Sequence, residues 1–323
     1  MPYAAQIETA LARAFARLQE GAPPRLRSAL EDAIFPAGGR LRPSLCLATY
    51  TALHGHPPET PQAELASSLE LLHCASLVHD DLPCFDDAAL RRGRLSVHSR
   101  HGEALAVLAG DGLILMAFES LASTLLSAEV ALRLLKVLTV SAGPVRGLVA
   151  GQAWESETSV PLHHYHATKT GALFEASAHC GSILASEKSG RPSHARDQRW
   201  AQFGALLGQA YQIADDLHDV RTGSPHTEHA SHAINGGKPV GKDASLSRPN
   251  AALAFGEEGA RQQLRTRLDQ CMEALPVCAD PKPIHAWLDA FSVRLVTAVS
   301  TASSWQETPQ SASSSSSPSG VTR

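Results

Sequence analysis

The sequence predicts an all-α protein, and three observations carry that expectation. Ala/Leu-rich segments of helical period recur along most of the 323 residues, while the alternation of strand and helix patterns typical of an α/β fold is missing. Aromatic residues make up only 5%, so close packing falls to alanine and leucine. Two apolar helices far apart in sequence each end in a cluster of aspartates, which predicts that they form facing walls of one cavity.

Composition narrows the function. A formal net charge of −4 argues against nucleic acid as a partner. The six cysteines (Cys46, Cys74, Cys84, Cys180, Cys271 and Cys278) form no CxxC, lie mostly in apolar helical stretches and follow no signal peptide. They read as reduced cysteines of a cytoplasmic protein. No uninterrupted apolar run reads as a transmembrane segment. One enzymatic domain is expected over residues 1–305, followed by a disordered Ser/Pro-rich tail over 306–323.

Taken in order, Ala4 to Glu20 forms an amphipathic helix with Ile7, Leu11, Phe15 and Leu18 on one stripe. After Pro23-Pro24, Leu26 to Ile34 is a short second helix. The stretch from Pro36 to Leu45, PAGGRLRPSL, sets glycines beside Arg40 and Arg42, so a backbone can approach an anion that the guanidiniums bind. Gln62 begins the helix that delivers the first acidic cluster, with Leu69, Leu71, Leu72, Leu77 and Val78 as its apolar run.

That helix leads into HCASLVHDDLPCFDDAALRRGRLSVH, His73 to His98, where Pro83 breaks it. Asp80, Asp81, Asp86 and Asp87 crowd like charge that is costly without a divalent ion, and hard oxygen ligands of this kind suit Mg²⁺ bridged to phosphates. Arg91, Arg92 and Arg94 follow as planar forks for the same phosphates. Gly102 to Leu126 and Glu129 to Ser141 continue as helices. His163, His164 and His166 read as a solvated helix start rather than a metal cluster, because adjacent helix positions do not converge.

Gln198 to Val220 is the second acid-bearing helix; Asp215 and Asp219, four residues apart, project from one face beside Asp216. The polar stretch from Thr222 to Asn235 could close over such a site as a flap. A glycine-rich loop then carries Lys238, Lys242 and Arg248. Ala251 to Ala274 and Lys282 to Ser304 are closing helices.

The two aspartate-rich stretches, together with Lys169-Thr170-Gly171 and GGKPVGKDASLSRPN, resemble those of the trans-isoprenyl diphosphate synthase (polyprenyl synthetase) family. The last stretch is also similar to the geranylgeranyl diphosphate synthases of pigment-forming bacteria. The resemblance implies an isoprenoid synthase bundle of ten or more helices around a central cavity, usually as a homodimer. It implies Mg²⁺-dependent head-to-tail condensation of isopentenyl diphosphate with an allylic diphosphate, with three ions when substrate is bound.

By that resemblance Asp80, Asp86, Asp215 and Asp219 hold metal, with Asp81 a further catalytic member. Lys169, Arg91 and Lys238 serve the allylic diphosphate, Lys169 and Thr170 also present oxygens toward the developing carbocation, Gln212 and Arg248 are further substrate-binding positions, and Arg42, Arg92 and His73 serve isopentenyl diphosphate. Gly39 stands where the family has a lysine, and Arg40 is expected to take over part of that charge. Glu155 stands where the family has an aspartate near the metals. Small residues at Ala75 and Ser76, with Leu72 and Phe118 deeper, imply a floor that admits a geranylgeranyl chain. The alternatives are a farnesyl diphosphate synthase, a terpene cyclase and a non-catalytic regulatory subunit.

Overall fold

In a computed structural model of the chain, residues 1–19, 21–35, 38–187, 193–222 and 250–300 are described. The expected tail over 306–323 and, apart from Thr222 at the end of a helix, the expected flap lie outside them. Helices α1 (Ala4–Ala16), α2 (Pro24–Ile34), α3 (Leu41–His54) and α4 (Thr60–Asp80) open the chain. α4 starts two residues before the expected Gln62, because Glu59 and Gln62 form a reciprocal capping box that fixes the first turn.

A two-stranded hairpin, β1 (Leu90–Arg91) and β2 (Arg94–Leu95), and a short helix α5 (Val97–His101) follow. The hairpin was not anticipated. Its two turn residues, Arg92 and Gly93, both have positive φ (54° and 73°), which matches the twist of a tight hairpin.

Next come α6 (Glu103–Ala122), α7 (Ala128–Ala142), α8 (Leu148–Ala153) and α9 (Leu162–His166). A π-helical turn over Ala167–Gly171 leads directly into α10 (Ala172–Glu187). The long α11 (His194–Thr222), α12 (Ala251–Glu273) and α13 (Lys282–Ser300) complete the described elements.

Two apolar clusters hold the helices together. One joins α1, α2, α4, α6 and α10 through residues such as Ile7, Leu11, Leu65, Leu69, Leu113 and Ile183. The other joins α3, α11, α12 and α13 around Trp200, Phe203, Leu207, Trp287 and Phe291. Burial of each such side chain contributes roughly 1.5–3 kcal/mol relative to exposure. By length and composition alone α6 is long and apolar enough to cross a bilayer, although Asp111 interrupts its apolar run. In the fold one face of α6 packs into the first cluster through Ala106, Ala109, Leu113 and Ala117, all fully buried.

The second acidic helix is tied to the next by its own aspartate. The Asp216 carboxylate accepts from the Ala251 backbone N–H (2.6 Å), lies 3.0 Å from His166 Nε2, and accepts from Gln212 Nε2 at 2.8 Å. Asn250 caps α12, its Oδ1 accepting from the N–H groups of Ala252 and Leu253. His166, expected at a solvated helix start, is therefore buried at the junction of three elements.

Close helix approach does the rest. A Cβ added at Gly208 would lie 2.6 Å from the Gly171 Cα, so α11 meets the π turn backbone to backbone. Gly208→Ala has no flexible side chain to push aside. We expect it to cost about 1–3 kcal/mol, read as a lower urea midpoint at unchanged slope.

Candidate active site

A cavity of about 830 Å³ is lined from α3, α4, α6, α8, the π turn, α11 and α13. Its acidic part begins where α4 ends. Asp80 is the last residue of that helix, so its carboxylate sits at the negative end of the helix dipole, where a cation is favoured. Asp215 on α11 lines the same cavity.

After α4 the backbone folds back on the helix end: the Asp86 N–H donates to the Asp80 carbonyl (2.9 Å) and the Ala88 N–H to the Asp81 carbonyl (3.1 Å). This brings the buried Asp86 carboxylate to the same helix end without placing it on the cavity lining. Asp219, one turn beyond Asp215, is likewise buried off the lining. Asp81 turns away altogether. It accepts from Arg91 Nε at 3.1 Å through each oxygen and from Arg91 Nη2, in a small recess beside Val78 and Arg94. Instead of the expected catalytic role, its position is that of an anchor for Arg91, which does line the cavity.

The basic part gathers Arg42, Arg92 and His73. The hairpin turn aims Arg92 at Gly38, where an added Cβ would lie 2.5 Å from Nη2. Arg42 is buried over the Phe174 ring, 5.0 Å from its centroid, and burial pulls its pKa below the ordinary guanidinium value. Burial first, and then Arg42 and Arg92, hold the His73 pKa well below the usual imidazole range. His73 is therefore neutral near pH 7, able to donate one hydrogen bond and accept another.

Arg40 departs from expectation. Its guanidinium is bound by Glu8 (2.7 Å) and by buried Glu70 (2.8 Å), and it donates to the Ile34 carbonyl. Burial works to lower its pKa, but Glu70 and Glu8 outweigh it and the net shift is upward. With its charge already matched by two carboxylates, Arg40 is a structural cation and no substitute for one at position 39.

The π turn inserts one extra residue and carries Lys169 and Thr170 to the lining. Lys169 Nζ pairs with Glu155, which also accepts from Tyr165 Oη (2.6 Å) and Gln152 Nε2 (3.3 Å). Glu155 thus positions a lysine where the family resemblance put an acid near the metals. Thr170 donates to Gln212 Oε1, and Gln212 in turn donates to Asp216. Tyr211, not singled out by sequence, also lines the cavity, and burial followed by Asp215 pushes its pKa up to about 12.

In the apolar part Leu72, Ala75 and Ser76 line the cavity. Phe118 does not; one turn earlier on α6, Ile114 does, with Leu148 of α8 beyond it. Phe118 and Ile114, one turn apart on the same face, both pack against the first core cluster, and of the two Ile114 reaches the lining. Lys238 and Arg248 lie outside the described residues.

Among the described residues no three His, Cys, Asp or Glu side chains converge into a complete metal cage. Two carboxylates on one cavity fit an ion such as Mg²⁺, which keeps waters and takes substrate phosphates as ligands.

The depressed His73 pKa fixes a sign. Unfolded His73 takes up a proton near pH 6.5 and the folded form only at lower pH, so stability falls as pH drops below about 6.5. Denaturant titrations between about pH 6.5 and 5 should show a shallower pH slope for His73→Gln than for the parent.

Comparison with known proteins agrees with this geometry. Residues 23–282 match the family described as Polyprenyl synthetase. The geranylgeranyl diphosphate synthase of Cereibacter sphaeroides is 41% identical over 300 residues, covering 92% of this chain and 98% of that protein. The geranylgeranyl diphosphate synthase of Rhodobacter capsulatus is 42% identical over 275 residues, covering 84% and 89%. Among solved structures, a geranyltransferase from Helicobacter pylori complexed with magnesium and isoprenyl diphosphate superimposes with a TM-score of 0.70 at 28% identity, over 92% of this chain and 97% of that one. The chain belongs to the polyprenyl synthetase family, and its activity is that of a prenyl diphosphate synthase, a prenyltransferase.

Proposed function

We propose that the protein makes geranylgeranyl diphosphate by adding isopentenyl diphosphate to farnesyl diphosphate and shorter allylic primers. The observation that carries this reading is the pair Ala75 and Ser76 on the cavity lining, directly below Asp80 on α4. Small side chains there leave room for a prenyl tail to extend toward Leu72 and Ile114. The two geranylgeranyl synthases at 41% and 42% identity support the same product.

The chemistry separates a leaving diphosphate from an allylic carbocation. Mg²⁺ held by Asp80 and Asp215, with Asp86 and Asp219 beside them, would supply the charge that stabilises the leaving diphosphate. Lys169 and Arg91 add charge-assisted hydrogen bonds to the same group. Arg42 and Arg92 hold the second diphosphate, and neutral His73 donates to it. Lys169 and Thr170 present oxygens toward the developing cation, and Gln212 holds the Thr170 hydroxyl. The apolar lining excludes water from it. Condensation forms the new carbon–carbon bond, and the released diphosphate takes the proton lost from the isopentenyl unit.

The reading includes a cytoplasmic homodimer. Val107, Leu108 and Leu115 on α6 and Leu132 on α7 are exposed apolar residues on adjacent helices, a surface that a second copy would cover. Leu115→Arg should shift the mass seen by light scattering from dimer to monomer.

Purified protein given Mg²⁺, isopentenyl diphosphate and each allylic primer should yield a twenty-carbon alcohol after dephosphorylation. A fifteen-carbon end product would make it a farnesyl synthase, and no elongation would favour a regulatory subunit. Ala75→Tyr should shorten the product to fifteen carbons, and an unchanged length would sink the floor assignment. Asp80→Asn and Asp215→Asn should each lower kcat by about a thousandfold while the fold, followed by circular dichroism, persists.

A further inference from the structure

Glu155 lies off the cavity lining, although the residues around it form that lining. Gln152, Ala153, Ser156, Tyr165 and Lys169 all line the cavity, whereas the Glu155 side chain is only 6% exposed and does not. It sits on a 3₁₀ turn, Trp154–Ser156, that continues α8. α8 is docked on the π turn backbone to backbone: a Cβ added at Gly151 would lie 2.5 Å from both N and Cα of Lys169.

Three of those lining residues are donors to Glu155. Lys169 Nζ and Tyr165 Oη (2.6 Å) share Oε1, and Gln152 Nε2 reaches Oε2 at 3.3 Å. Tyr165 is 4% exposed, so its hydroxyl meets the carboxylate with little competition from water. Its ring also lies under the ammonium one helical turn on, 5.5 Å from Nζ to the centroid. Tyr165 thus constrains Lys169 twice, by its ring and, through Glu155, by its hydroxyl.

Such constraint matters for a lysine, whose four-carbon stem is flexible and gives up rotamer entropy when the ammonium is fixed. The ammonium carries three protons, so it keeps Glu155 and still has donors for an anion in the cavity. Drawing Glu155 toward a metal would leave that part-buried ammonium without its carboxylate, which is costly. The acids that do line the cavity are Asp80 and Asp215.

We propose that Tyr165 is a positioning residue for the departing diphosphate, acting through Glu155 to fix the Lys169 ammonium at the lining, and that Glu155 serves this lysine and not the metals. The assignment rests on the elongation reading above, which gives Lys169 the allylic diphosphate.

Binding and kinetics test it together. Calorimetry gives Kd for farnesyl diphosphate with Mg²⁺ and without isopentenyl diphosphate; steady-state rates give KM for each substrate with the other saturating. Tyr165→Phe should raise both Kd and KM for farnesyl diphosphate about fivefold, the loss of one hydrogen bond, with KM for isopentenyl diphosphate within about twofold. Glu155→Gln should raise them at least as much, and adding Tyr165→Phe to it should change Kd by less than about twofold. At saturating farnesyl diphosphate, Glu155→Gln should leave the Mg²⁺ concentration for half-maximal rate within about twofold of the parent; a tenfold rise makes Glu155 a metal ligand and overturns the proposal. That readout needs no change at Tyr165, should the Phe variant fail to fold. Losses that are additive in the double variant, or equal for the two substrates, also overturn it. A parent that elongates normally while folded Tyr165→Phe keeps the parent Kd overturns the role of Tyr165 alone. A parent that elongates no primer overturns the activity reading beneath it.

Discussion

Negative charge at the wrong end of two helices is the constraint on which this structure turns. Asp80 closes α4, and Asp215 and Asp219 lie in the last turns of α11, where the helix dipole already disfavours an anion. A protein keeps such an arrangement only if cations compensate it. Part of the compensation is internal: Arg91 binds Asp81, and His166 lies against Asp216. Asp80 and Asp215 are left on the cavity lining, where a metal and a diphosphate would complete the balance. The adjacent aspartates therefore divide the work, one of each pair facing the cavity and the other holding the scaffold.

The same division runs through the cations. Arg40 and Lys169 are matched by carboxylates, whereas Arg42 brings charge to the cavity without one among the described residues. On the function proposed here, two diphosphates would share one 830 Å³ space without exchanging places. An end that takes metal and an end that takes guanidinium would tell them apart by chemistry as well as by shape.

Much of this was legible in the chain. Helical period and alanine-rich packing gave the bundle, and Asp80, Asp215, His73, Lys169 and Gln212 all meet on one lining. What stayed hidden depends on tertiary partners. Arg40 looked like an anion ligand because Glu8 and Glu70 are distant in sequence and only the fold brings them to it. Phe118 looked like a cavity floor because helix period puts it on the face of Ile114, and only the fold shows how far along that face the cavity runs; it reaches Ile114. Asn250 was passed over although an N-cap residue ahead of a run of alanines carries a local signal.

The π turn at Ala167–Gly171 has a consequence for how the chain can change over time. It holds one residue more than an α-helical turn would, and α10 continues from it without a break. Removing a single residue there would restore an unbroken α-helix, at little cost to the backbone. It would also rotate everything on one side of the deletion relative to the other by about 100°, taking Lys169 and Thr170 off the lining together. Point substitutions in this segment can be repaired one at a time, but a change of length cannot. The number of residues in the segment should therefore stay fixed among descendants of this gene.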